Sequence, residues 1–463
     1  MSRNVRTGPL VRRFARCLVF VALVVFGASH AAWADGWKIQ LQGAKALGLG
    51  YAGRALAEDA STVWFNAAGI TALGGDACAG RSPQASPSGC PRWFFTAGGA
   101  LVPFTLRYAD AGSFSVLAQP LQGQGTRDGG KTGGVPYFYV ARHLSPHLTA
   151  GFGLNFPHGL SDDYGETWVG RYHATNSELQ VANLNPVVAY RFTHPNVSVG
   201  AGLDIQHARA KLANMVDFGS YAALLGAPLV PQTVDGRIRL DASDWAVGYD
   251  LSVAWQATPS VRAAATYRSQ VTHTLSGDAD FDVPADAAFF TAGGGFRDTT
   301  ATTQLPMPRE LSESVAVTIT RKWTAVGDLT WTDWSQFDRL VVSFDNPAQL
   351  PLAQSAAYED SWRVAGGLVY RPNATWALRG GALYEASPVP DATRTPRLPE
   401  VNNTGVSGGA SYRFSGRWDL DIGWSHLIPH DADIRLVDPT AGLLAGRIRW
   451  KTDAVAIGIN THF

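Results

Sequence analysis

Two glycine-rich stretches carry spacings associated with chemistry. "GVSGG", Gly405 to Gly409, fits G-x-S-x-G around Ser407, the turn that exposes a serine nucleophile between a strand and a helix. "GLGYAG", Gly48 to Gly53, fits G-x-G-x-x-G, which cradles a dinucleotide pyrophosphate when it opens the helix of a βαβ unit. Each motif depends on the element beneath it. Ser407 lies inside an alternating strand, where no nucleophile elbow forms. No strong strand precedes Gly48, and no βαβ unit surrounds it. The 11 histidines lack metal-ligand spacing. No catalytic residue, metal or cofactor is therefore expected, and a lipase using Ser407 is a minor alternative.

The N-terminus reads as an export signal over residues 1–34. Arg3, Arg6, Arg12, Arg13 and Arg16 precede an apolar stretch from Cys17 to Gly27, short for a membrane span. Ala32 and Ala34 flank Trp33 as an A-x-A cleavage site, so the mature chain is expected to start at Asp35. Of the 3 cysteines, Cys78 and Cys90 then remain in "CAGRSPQASPSGC". In an exported chain this pair reads as a disulfide closing a small loop, with two free thiols as the alternative. Formal net charge is +0, which gives no basic surface for nucleic acid. Hydrophobic content of 46%, with one long apolar run, excludes a polytopic helical membrane protein.

From Trp93 to Phe463 the chain repeats one theme: a run with period-two alternation, then turn residues. Trp362, Val364, Gly366, Leu368 and Tyr370 share one strand face; Trp376, Leu378, Gly380, Ala382 and Tyr384 share another. Trp245 to Trp255, Trp323 to Trp331 and Trp418 to Trp424 repeat the pattern. Aromatic rings sit at the ends of the apolar face, with aliphatic or small residues between. A soluble core has no reason for that placement. A bilayer has one, because amphipathic rings prefer its two interfaces. Eight residues at about 3.3 Å each, tilted by about 40°, span roughly 20 Å, near the apolar band of an outer-membrane barrel. Arg363, Arg379, Asp250 and Asp328 fall on the opposite face, toward a polar lumen.

Strands are expected near 93–102, 135–142, 148–156, 181–192, 197–211, 245–256, 261–272, 310–320, 323–335, 361–370, 376–385, 403–414, 418–426 and 451–463. Short and long connections alternate between them. The expected fold is all-β: a 14-stranded antiparallel transmembrane β-barrel, with both barrel ends on the periplasmic side of a Gram-negative outer membrane. The last strand, ending at Phe463, closes against the first. Residues 35–92 do not alternate, and either plug the lumen of the barrel at 93–463 or hang below it.

Several blocks resemble the FadL family of outer-membrane transporters of long-chain fatty acids and aromatic hydrocarbons. They include "ALGLGYAGRALAEDASTVWFNAAGITAL", "WVGRYHATNSELQVANLNPVVAYRF", "LPMPRELSESVAV" and "WTDWSQFDRL". The resemblance implies that the N-terminal segment is a hatch inside the barrel. It places a hatch gate at Asn66, Ala67 and Ala68, where the family has Asn-Pro-Ala. It also brings Trp37 of the "DGW" start toward the ligand pocket. It implies passive uptake of a hydrophobic molecule through an apolar pocket, with lateral exit through a kinked third strand. Asn155, Phe156, Pro157, His158 and Gly159 suit such an opening, because Pro157 lacks an N–H and Gly159 permits a kink. Alternatively, Pro157 only ends the strand.

"YAALLGAPLV" and "FDVPADAAFF" are apolar segments in long loops, so Leu224, Leu225, Phe289 and Phe290 are candidate groove residues; a short helix packing the loops together is the compatible alternative. Arg209 and Lys211 in "HARAKL" resemble the family's fifth strand and are candidates to meet a carboxylate head group. "WTDWSQF" reads as interfacial aromatic girdle. Expected partners are a hydrophobic solute, outer-membrane lipid and the barrel-assembly machinery, which would engage the strand ending at Phe463. No nucleic acid is expected, and the barrel is expected to be a monomer. A general porin or adhesin barrel is the competing function.

Overall fold

Fourteen strands close into an antiparallel barrel in the computed structural model, which describes residues 36–75, 91–194 and 196–463. The export signal and the Cys78–Cys90 pair lie outside the described residues. The wall strands are β1 (Trp93–Val102), β2 (Gly133–His143), β3 (Leu148–Asp163), β4 (Asn176–Arg191) and β5 (Val197–Asp217). They continue with β6 (Asp235–Thr258), β7 (Val261–Arg268), β8 (Glu310–Thr318), β9 (Trp323–Thr332) and β10 (Ser361–Tyr370). The last are β11 (Trp376–Glu385), β12 (Asn403–Ser415), β13 (Trp418–Pro429) and β14 (Gly442–His462). Each pairs with its neighbours in sequence. β14 returns to β1 with Phe94 opposite His462 and Leu101 opposite Val455. Phe463 donates to Trp93 O at 2.9 Å and completes the seam.

Outward side chains have no protein cover. On β6, Trp245, Val247, Tyr249, Leu251, Val253 and Trp255 are all exposed. Leaving six such side chains in water would cost on the order of 10 kcal/mol. Hydrocarbon removes that cost, and closure of the last strand on the first leaves neither end of the sheet as a free edge in lipid.

The wall strands are longer than the alternation of apolar residues suggests. β5, β6 and β14 run well past the bilayer, where their outward residues turn polar. Further strands at Phe104–Asp110, Val271–Asp282, Thr299–Met307 and Ala432–Asp438 raise the sheet above the membrane within the long connections. The expected strand over 261–272 divides: β7 stops at Arg268, and Val271–Asp282 turns to pair again with β6.

The segment 36–75 fills the lumen. It contains two single-turn helices, Ala44–Leu47 and Thr62–Phe65, and a 3-10 turn at Ala67–Ala72. The polar lumen face of the wall serves as its hydrogen-bond partner, so Arg363, Arg379, Asp250 and Asp328 are buried rather than solvated. Asp328 accepts from Gly53 N at 2.8 Å and from Ser314 Oγ at 2.6 Å. Arg268 pairs with Asp204 at 2.6 Å, donates to Trp64 O, and lies 3.4 Å from the Trp64 ring centroid. The glycines of "GLGYAG" are spacers: a Cβ on Gly48 would come within 3.0 Å of Gly409 Cα, and one on Gly381 within 2.3 Å of the Leu49 carbonyl. They let hatch backbone rest directly on wall backbone.

Glu58 and Lys45 anchor the hatch at its periplasmic end. Glu58 binds Arg379 at 2.8 Å and also Arg371; Lys45 binds Asp59 at 3.0 Å and Asp421 at 3.6 Å. Burial pushes the Glu58 carboxyl up, but Arg379, Arg371 and Lys45 outweigh it and hold it well below the usual carboxylate range. Burial pulls the Lys45 ammonium down, and Asp421, Asp59 and Glu58 outweigh that. Glu58 therefore contributes stability above its unfolded value of about 4.3 and loses it as pH falls further; Lys45 contributes below about 10.4 and loses it as pH rises through its folded value. Acidifying below about pH 4 should raise amide exchange in residues 53–65 while the barrel keeps its heat-modifiable migration. Glu58→Gln should reproduce this at neutral pH, with local opening favoured by about 3 kcal/mol. Unchanged exchange in both experiments would remove the anchor.

Candidate functional site

An apolar cavity of about 110 Å³ lies above the hatch, under the external loops. Trp37 forms its floor. The ring meets Trp334 and Phe337 edge-on at 4.7 and 4.8 Å, approaches Tyr358 at 6.0 Å, and points Nε1 at Met307 Sδ, 3.2 Å away. Leu160, Leu179, Leu212, Leu275, Leu305, Leu340 and Leu398 supply the aliphatic walls. Gly36 makes the turn into this floor with φ +66°, and a Cβ there would strike the Trp334 ring at 2.6 Å. Trp334 is fully buried, which corrects the girdle reading of "WTDWSQF" for that ring: a 3-10 turn at Trp334–Gln336 swings it inward, while Trp331 stays on the outward face opposite Trp362.

One cation reaches this cavity. Arg397 lines it, but its guanidinium spends Nη1 on Asn176 O and Ser177 Oγ, at 2.8 and 2.7 Å, and Nη2 on the His173 and Ala213 carbonyls. Arg209 and Lys211 do not reach it. They point outward from the wall and share Asp241, at 2.8 and 3.6 Å, while their inward neighbours Ala210 and Leu212 line the cavity. Alternate residues of a strand face opposite sides, so both cannot sit with Ala210. This corrects their assignment as lumenal head-group ligands.

The gap below the cavity is built from β3. This strand runs through Pro157 to Asp163 rather than ending there. Against β4 it bulges: Asn155 faces Asn183 and His158 faces Val181, so two residues oppose one. Against β2 its pairing stops at Phe138 and Leu154. Above that point β2 residues 133–137 pair with β1, and no β3 partner is present among the described residues. Pro136 on this edge has no N–H to leave unsatisfied. An isolated bridge between Gly130 and Asp162 closes the top. The result is a window in the wall.

Hatch residues stand in for the missing strand on the inner side. Ile39 N donates to Pro157 O at 2.7 Å, and Gly159 N donates to Trp37 O at 2.8 Å. Gln42 Nε2 donates to Phe156 O at 2.8 Å and to Ile39 O at 3.1 Å; its own carbonyl accepts from Tyr139 Oη at 3.0 Å. Trp37 thus belongs to both the cavity floor and the inner cover of the window.

Asn66, Ala67 and Ala68, expected as the hatch gate, lie apart from this assembly, against β5 and β6. All are buried; Asn66 Oδ1 accepts from Gly69 N at 3.2 Å, and Ala68 N donates to Ser252 Oγ at 2.7 Å. Leu224, Leu225 and Phe289 project from the external loops, exposed at 61%, 72% and 47%. Beneath them Phe290 packs with Phe218 at 5.3 Å, and Phe218 with Phe296 at 4.9 Å. Helix Phe218–Leu224 therefore ties the two loops together and leaves a greasy crest outside. Ser407 is an inward strand residue whose Oγ donates to Ser425 Oγ.

The family of outer membrane protein transport proteins (OMPP1/FadL/TodX) matches residues 25–463, and the chain belongs to it. The protein is thus a Gram-negative outer-membrane transporter of hydrophobic compounds, not an enzyme. The long-chain fatty acid transport protein of Escherichia coli O6:H1 is 25% identical over 466 residues, covering 96% of this chain and 97% of the relative. A Pseudomonas aeruginosa FadL homologue superposes with TM-score 0.82 at 19% identity, over 92% of this chain and 100% of that one. The Pseudomonas putida toluene transporter TodX superposes at 0.66 with 16% identity, over 87% and 94%.

Trp37→Ala would remove the ring that fills the floor. Binding of a hydrophobic fluorophore to the purified barrel should weaken by at least about tenfold, as loss of a buried aromatic predicts. Equal binding would show that the Trp37 ring takes no part in binding a hydrophobic molecule.

Proposed function

We propose that a hydrophobic solute is caught on the crest formed by Leu224, Leu225 and Phe289, passes into the Trp37 cavity, and leaves sideways through the β2–β3 window into the bilayer. The carrying observation is that one short segment, residues 37–42, both floors the cavity and covers the window. A solute entering the cavity competes for the space of the Trp37 ring. Displacing that ring loosens the Ile39 and Gly159 hydrogen bonds that hold the cover. Each CH₂ that leaves water gains about 0.8 kcal/mol, so the path stays favourable without an energy source. The segment ahead of Trp93 acts as the hatch, with Asn66, Ala67 and Ala68 as its rigid footing on β5 and β6. The barrel works as a monomer, and its last strand, ending at Phe463, is the segment offered to the barrel-assembly machinery.

A neutral substrate is favoured. An engineered apolar cavity of about 150 Å³ holds benzene, and this cavity is of that order. The donors of Arg397 go to carbonyls and a hydroxyl of the protein, and Arg209 and Lys211 face outward, so a carboxylate would find little to bind. A long-chain acid is the second reading, favoured by the name of the Escherichia coli relative; its chain would have to extend from the cavity toward the loop crest.

Uptake into liposomes tests the whole route. Toluene should enter faster than oleate, and a small sugar should be excluded; sugar entry at porin rates would overturn the reading. Gly159→Phe should abolish hydrophobe uptake while the barrel keeps its heat-modifiable migration. Wild-type uptake by that variant would count against exit through the window.

A further inference from the structure

The upper part of β14 alternates differently from its membrane part. Val455, Ile457 and Ile459 face lipid, and above them the same face presents Lys451, Arg449 and Arg447. All three are exposed. Successive outward residues on a strand stand about 6.6 Å apart, so these cations climb from the edge of the apolar band. The level is fixed by Trp424, which sits opposite Val455 and donates to Asp453. The ladder begins one outward residue above Asp453.

The neighbouring strand, Phe104–Asp110, adds to it. Arg107 lies directly opposite Arg449, and Thr105 opposite Lys451. Like charges placed directly across a strand pair are destabilising. Aspartates reduce that cost in part: Arg107 Nε lies 3.5 Å from Asp128, Arg449 Nε 2.9 Å from Asp431, and Arg447 Nε 3.1 Å from Asp433. The side chains of Arg107 and Arg449 nevertheless stay 72% and 66% exposed. Arg435, on the same face of the Ala432–Asp438 strand, is a further cation. Five cations thus face three aspartates, with Asp453 engaged by Trp424 and His426.

We propose that this ladder binds the phosphates of a phosphorylated glycolipid in the outer leaflet. Its acyl chains would lie along Val455, Ile457 and Ile459, and its phosphates would bridge Arg107 and Arg449 with Lys451 and the Thr105 hydroxyl below. The bridging anion removes the repulsion between the two arginines. Guanidinium forks and phosphate oxygens match bidentately. The patch sits on the lipid side of the wall and shares no residue with the cavity lining, so it adds a lipid contact that the transport route does not use.

Native mass spectrometry of the full-length barrel in detergent tests this, with bisphosphorylated lipid A as probe. Wild type should retain the lipid. The triple variant Arg107→Gln, Arg449→Gln, Lys451→Gln should bind it on the order of 100-fold more weakly, since each surface cation contributes about a factor of five. Arg413→Gln, at the periplasmic end of β12, should bind as wild type. Heat-modifiable migration reports folding, and Lys451→Gln alone, with an expected loss of about fivefold, serves if the triple variant misfolds. Equal binding by wild type and variants, or equal binding of dephosphorylated lipid A, would overturn the proposal. Displacement by inorganic phosphate at the same phosphate concentration would overturn the lipid as the source.

Discussion

The structure depends on one constraint: in hydrocarbon no backbone N–H or C=O can be left without a partner. A strand meets it only when both edges are paired, so the wall closes and β14 must find β1. Closure forces the second face of every strand inward. Those inward faces carry carboxylates and guanidinium groups that a narrow lumen cannot hydrate well. The N-terminal segment answers them with its own backbone and charged side chains. The hatch is thus a consequence of the wall, and its polar seams with Asp328, Arg268 and Glu58 follow from that role.

The same constraint explains the construction of the window. Interrupting β2–β3 pairing would leave backbone groups without partners, and the bulge at Phe156 and Pro157 alone does not cure this. On the β3 side, Ile39, Trp37 and the Gln42 side chain supply partners from inside. Glutamine imitates a peptide group here, since its amide offers one donor–acceptor pair in the same plane. The apolar cavity above is formed by what this cover leaves exposed on its upper side, chiefly the Trp37 ring. Cavity floor and inner cover are therefore one element of the chain.

Much of this was legible in the residues. Rings at both ends of alternating runs identify lipid, and short and long links in alternation count the strands. Pro157 and Gly159 mark the irregular strand. What fills the irregularity is not legible, because Gln42 and Ile39 lie more than a hundred residues away and carry no pattern. The sheet above the membrane is not legible for a different reason: its outward residues, such as Arg239 and Asp241, are polar, so the apolar alternation stops although the strand does not. Parity would have placed Arg209 and Lys211 correctly, since they share their face with Val199 and Leu203. Trp334 was hidden because a tryptophan beside an interface looks the same in sequence whether it turns to lipid or to the cavity.

The window is bounded below by the Phe138–Leu154 pairing and above by the Gly130–Asp162 bridge. It is a hole in a fabric and not a split seam. Withdrawing residues 37–42 would break none of the strand pairings of the wall, so the hoop would keep its circumference. Under the proposed route, greasy cargo would cross the wall without the cylinder having to part.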